Sequence, residues 1–112
     1  MDSTRQLKIS RQIQKDLGEI FQQRGMATYK GALITVSEVR VTPDLSIAKV
    51  YLSIFPSDKG ADVMKQVEEE TKAIRAELGK KVRHQLRIVP ELHFYLDETL
   101  DKLAHIDDLL NN

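Results

Sequence analysis

Three histidines and one group of acids are the residues of this chain whose types could do chemistry. His84, His93 and His105 could ligate a metal or move a proton, but they fall on a basic helical stretch, a strand and the last helix. Their spacing matches no metal motif, so polar or partly buried imidazoles are the better reading. Asp97, Glu98 and Asp101 could form an acid–base pair. They stand where a helix begins, and the helix dipole favours acids there without any catalytic role. The glycines at 18, 25, 31, 60 and 79 make neither a GxGxxG nor a P-loop, so nothing is built to cradle nucleotide phosphates. There is no cysteine, hence no thiolate nucleophile and no disulfide framework. These residues do not make an enzyme, and no cofactor, metal or small-molecule substrate is expected.

The basic residues are more informative. The formal net charge is zero, yet the charges are segregated. Between residues 72 and 87 stand six basic side chains, Lys72, Arg75, Lys80, Lys81, Arg83 and Arg87, against Glu77 alone. Residues 91–112 invert the balance, with six acids against Lys102. Such segregation creates a local field although the sum vanishes. A basic segment between helices, next to a sheet edge, is a common RNA-binding arrangement in which cations and backbone amides hold phosphates. With only three Phe and three Tyr, a wide base-stacking platform is not expected.

A second basic face lies on the first predicted helix. Ser3 and Gln6 have the spacing of a capping box, placing a helix start near Thr4. Ile9, Ile13, Leu17 and Ile20 then form one apolar stripe. Lys8, Arg11 and Lys15 fall almost opposite it. A solvated helix surface is the competing reading of that face.

The remaining elements follow from periodicity and turn chemistry. Gly25 ends the helix. "LITVSEVRV" (33–41) reads as a strand whose alternation slips, and a bulge near Ser37–Glu38 would reconcile its two halves. Pro43 and Asp44 make a tight turn. In the next strand Ala48, Val50, Leu52 and Ile54 face one way and Lys49, Tyr51 and Ser53 the other. From Ala61 the period is helical, carried by Val63, Met64, Val67, Ile74 and Leu78, with Glu68 to Glu70 facing water. Gly79 reads as a break, and "KKVRHQLR" as a second, shorter basic helix. "ELHFYL" is a third strand with Leu92, Phe94 and Leu96 inward, and Leu100, Leu103, Ile106 and Leu110 mark a closing helix. A hairpin alone is marginal in water. A third strand arriving by a helical crossover widens it into a small sheet that helices can cover. The fold class is therefore α+β in two layers.

The 112 residues, 41% hydrophobic and 30% charged, suit one globular domain spanning 1–112. No apolar run approaches the roughly 20 residues of a membrane span, and the N-terminus has no signal-peptide core. A cytoplasmic monomer without membrane contact is expected.

Two long motifs carry a resemblance. "ITVSEVRVTPDLSIAKVYLS" (34–53) and "IRAELGKKVRHQLRIVPELHFYLDETL" (74–100), in that order, closely resemble bacterial ribosome-binding factor A, and the likeness spans essentially the whole chain. The resemblance implies a type II KH-like fold, αββααβ, here with a short C-terminal helix and a three-stranded mixed sheet. It implies binding to the small ribosomal subunit and 16S rRNA during late maturation and rRNA processing, with a role in cold adaptation. KH domains usually clamp RNA with a GXXG loop, which this chain lacks. The resemblance implies a kink between the two helices in its place, around Glu70–Thr71–Lys72. The expected RNA contacts are Lys8, Arg11, Lys15, Arg75, Lys80, Lys81, Arg83 and Arg87. The alternative is a protein-interaction module that docks its acidic end, Asp97 to Asp108, on a basic partner.

Overall fold

The structure, a computed structural model, describes residues 3–97. The expected closing helix through Leu100, Leu103, Ile106 and Leu110 lies outside the described residues.

Helix α1 (Thr4–Arg24) starts where the capping box places it. The Ser3 hydroxyl accepts from the Gln6 amide at 3.1 Å, and the Gln6 side chain accepts from the Ser3 amide at 2.9 Å. The Gln6 side-chain amide also donates to the Val41 carbonyl at 3.0 Å, and that of Gln14 to the Val36 carbonyl at 3.1 Å. Both acceptors belong to β1 (Leu33–Val41), an edge strand. Bonding carbonyls of an edge strand to a covering helix discourages pairing with a foreign strand. Gly25 ends α1 at φ +82°, a conformation that favours glycine, while its amide still donates to Phe21.

The slip in β1 is a bulge. Val36 pairs with Leu52 and Glu38 with Tyr51, leaving Ser37 as the extra residue. That one residue puts Val36, Val39 and Val41 on the same buried face. In β2 (Ile47–Phe55) Ala48, Val50, Leu52 and Ile54 are all buried. The connecting turn is fastened by Asp44, whose carboxylate accepts from Thr42 Oγ1 at 2.7 Å, Ser46 Oγ at 2.8 Å and the Ser46 amide at 3.1 Å. Those bonds hold its pKa below the ordinary carboxylate value. A depressed pKa stabilises above the unfolded value, about 3.9, and the contribution is lost as pH falls through the folded value. Asp44→Ala should therefore lower the urea midpoint at pH 7 and lower it less at pH 2.5. An equal drop at both pH values would show that the charge does not fasten the turn.

Two helices follow, α2 (Gly60–Glu69) and α3 (Thr71–Val82), and then β3 (Glu91–Leu96). β3 runs parallel to β2, and β1 antiparallel to it, so the mixed sheet has the order β1–β2–β3. Ile13, Leu17 and Ile20 of α1, Val63 and Val67 of α2, and Ile74 and Leu78 of α3 join the inward residues of the sheet in one core. The helices cover one face of the sheet.

Three expectations need correction. The helical break is at Glu70 (φ −94°, ψ 6°), not at Gly79, which lies inside α3. Gly79 is where residue 89 crosses the helix: a Cβ there would come within 3.3 Å of Val89 Cγ2. The glycine makes room for a crossing chain. "KKVRHQLR" is correspondingly not a second helix, since α3 ends at Val82 and the chain turns through 83–85. Of the three glutamates, Glu68 and Glu69 face water, but Glu70 is half-buried and ion-paired.

Candidate nucleic-acid interface

The kink between α2 and α3 is held from the far end of α1. Arg24 pairs with Glu70 at the kink through one guanidinium nitrogen, and with Glu77 of α3 through the other at 2.6 Å. The buried Tyr29 hydroxyl donates to Glu70 at 3.3 Å, and Gln66 of α2 ties Glu70 to the Thr28 carbonyl. Burial opposes the Arg24 charge, but the bonds to Glu77 and Tyr29 outweigh it, and its pKa rises. Burial raises the Tyr29 pKa as well, against the pull of Arg24. Arg24→Met would leave the half-buried Glu70 carboxylate without its counter-charge, at about 1 to 3 kcal/mol. The loss should appear in the urea midpoint and as enhanced amide exchange at residues 68–73, near the kink; unchanged exchange there would refute the clamp.

The eight basic residues expected at the site do not form one patch. Arg75 donates to the Pro90 carbonyl at 3.1 Å and the Val89 carbonyl at 2.6 Å, which moors the strand-entry segment to α3. Lys81 pairs with Glu19 of α1 at 3.1 Å. Both therefore have structural tasks. Lys80 on α3, and Arg83 and Arg87 in the segment after it, are exposed. Lys8 joins that end of the molecule. It lines a cleft of about 330 Å³ whose opposite wall is Val82, Gln85 and Leu86. Arg11 is exposed on the same helix, whereas Lys15 lines a separate groove of about 670 Å³ between α1 and β1.

One further cation belongs beside these. Lys72, in the first turn of α3 just after the kink, lines a shallow groove with Arg75, Gly79 and Val89. Its place was readable only from the resemblance, which put the kink at Glu70–Thr71–Lys72. Among the described residues there is no group of three His, Cys, Asp or Glu that could hold a metal, and no helix is long and apolar enough to cross a membrane. The acidic stretch expected to dock a basic partner lies outside the described residues, except for Asp97, which accepts from Ser37 Oγ at 2.7 Å. What the arrangement offers chemically is cation density.

A family model for ribosome-binding factor A matches residues 5–110. The chain belongs to the ribosome-binding factor A family. The family member of Cytophaga hutchinsonii is 40% identical over 111 residues, covering 99% of this chain and 84% of that protein. That of Christiangramia forsetii is 45% identical over 107 residues, covering 95% and 82%. The crystal structure of ribosome-binding factor A from Thermus thermophilus superposes with a TM-score of 0.67 at 24% identity, over 81% of this chain and 94% of that one. A homology model of the Thermus thermophilus factor, fitted into the cryo-EM map of its complex with 30S, gives 0.64 at 27% identity over 79% and 90%. The KH-like order implied by the resemblance is the order seen, and the break between the two helices lies at Glu70, within the Glu70–Thr71–Lys72 stretch where the resemblance put it.

Proposed function

We propose that this ribosome-binding factor is a non-enzymatic assembly factor of the small (30S) ribosomal subunit. In this reading it contacts 16S rRNA during late maturation and rRNA processing, supports growth in the cold, and works as a cytoplasmic monomer with one domain spanning 1–112. The observation that carries the reading is the family match over residues 5–110, together with a relative fitted into a complex with 30S. The surface chemistry agrees. Lys80, Arg83 and Arg87 are exposed at one end of α3, with Lys8 across a cleft and Lys72 at the other end of the helix. Such cations hold phosphates without reading sequence, so specificity would come from the shape of the subunit.

Sedimentation with isolated small and large subunits at two salt concentrations tests this. Phosphate contacts release counterions, so log affinity should fall with log salt by about 0.7 to 0.9 per contact. The expected result is association with small subunits only, weakening steeply with salt. Equal association with both subunits, or affinity indifferent to salt, would overturn it.

A further inference from the structure

The helices cover one face of the sheet, and among the described residues no helix covers the other. Half of the aromatic residues are on it. Phe21, Tyr29 and Phe94 pack edge to face in the core, with centroids 5.8 and 6.4 Å apart. Tyr51, Phe55 and Tyr95 have the opposite strand parity and face outward. Tyr51 and Tyr95 are directly paired across β2 and β3, and their rings are stacked, 5.4 Å between centroids and 27° between planes. Tyr95 is 42% exposed, and Phe55, four residues along β2 from Tyr51, is 72% exposed. The count of aromatics argued against a wide platform, but their placement makes a narrow one.

The next row along the sheet is basic. Arg40 is paired with Lys49, and Lys49 with His93, so three basic side chains cross all three strands in register. Arg40 and Lys49 are like charges directly opposite one another, which is destabilising in a sheet. Glu38 relieves one end, pairing with Arg40 at 3.0 Å, and at the other end Glu91 stands 3.6 Å from the His93 ring. Lys49, at the centre, has no such partner among the described residues. A polyanion lying along this row would supply the missing charge, and its bases would reach the adjacent ring pair. Thr35 and Ser53, paired in the row beyond the tyrosines, add hydroxyls suited to sugar and phosphate oxygens.

We propose that the open sheet face binds a single-stranded stretch of RNA, with bases stacked on Tyr51 and Tyr95 and the phosphate chain along Lys49 and Arg40. A duplex is excluded by the same chemistry, because paired bases do not offer their faces. This surface is distinct from the basic residues of α3, and it rests on the reading of the chain as an RNA-contacting factor.

The test uses the full chain and a fluorescein-labelled 12-nucleotide oligouridylate. Stacking on an aromatic side chain contributes enough that its loss weakens binding roughly 5- to 100-fold per base. Tyr51→Leu/Tyr95→Leu, which keeps apolar bulk on the sheet, should weaken oligonucleotide binding at least about tenfold. Tyr51→Phe/Tyr95→Phe should bind within about twofold of wild type, since the ring faces remain. Urea midpoints and amide spectra check that both variants fold. Wild-type affinity in the leucine variant, equal affinity for a 12-base-pair duplex, or no oligonucleotide binding by the wild-type chain would each overturn the proposal. So would a leucine variant that loses small subunits but keeps the oligonucleotide, which would assign the face to a protein. Failure of the assembly-factor reading registers separately, as a wild-type chain that does not sediment with small subunits.

Discussion

Replacing Leu52 by alanine is expected to cost about 2 to 5 kcal/mol of folding stability, a large fraction of what a domain of this size holds. Leu52 is fully buried at the centre of β2, the strand bonded on both sides. Its truncation removes apolar burial and leaves a cavity that two flanking strands cannot close. Ile54, two residues along the same face, is nearly as buried and should follow. In urea the midpoint should fall by roughly 1 to 2 M at a typical slope for a small domain, with the slope itself unchanged. Lys49→Ala, on the opposite parity, is the control and should stay within about 0.5 kcal/mol. A midpoint unmoved in Leu52→Ala would mean that the face carrying Ala48, Val50, Leu52 and Ile54 is not the buried one.

That β2 was readable from sequence follows from its physics. One buried and one open face impose strict alternation, and each residue reports its own side. The capping box was equally legible because all its bonds lie within four residues, and the β1 bulge because a single inserted residue shifts parity visibly. The α2–α3 break was not legible in the local pattern, and only the resemblance put it near Glu70. A glycine at 79 and uninterrupted helix formers around Glu70 argue locally for a break at Gly79. The decision is tertiary: Arg24 reaches Glu70 and Glu77 across 46 and 53 residues of chain, and Val89 needs the space above Gly79.

The same limit governs the candidate site. Charge density picked out the basic side chains of residues 72–87, but it could not tell a free cation from an occupied one. Arg75 is engaged by the Val89 and Pro90 carbonyls and Lys81 by Glu19, 62 residues away. No short-range pattern marks either bond. The open sheet face was hidden for a related reason, since composition counts aromatics but does not say which of them share a face.

Those assignments decide which charges to reverse. Reversing Lys81 would set a new carboxylate against Glu19, and removing Arg75 would release the strand-entry segment, so either change would confuse binding with folding. Lys80→Glu/Arg83→Glu/Arg87→Glu avoids both. The three side chains are exposed, and surface substitutions away from such bonds usually change stability by less than about 0.5 kcal/mol each. The melting temperature and circular dichroism should therefore stay near wild type. Binding should not. Each reversal removes an attraction for phosphate and adds a repulsion in a field that long-range steering depends on. Three together should abolish sedimentation with small subunits at physiological salt and slow growth in the cold. Lys8→Ala/Arg11→Ala/Lys15→Ala provides the comparison. Lys8 borders the same cleft as Gln85 and Leu86, while Lys15 lines another groove, so this variant should weaken association without abolishing it. Lowering the salt should restore part of the α1 variant's binding and little of the charge-reversed one's. A charge-reversed chain that melts much earlier would make the three cations structural, and one that sediments as wild type would remove the end of α3 from the ribosome-binding surface.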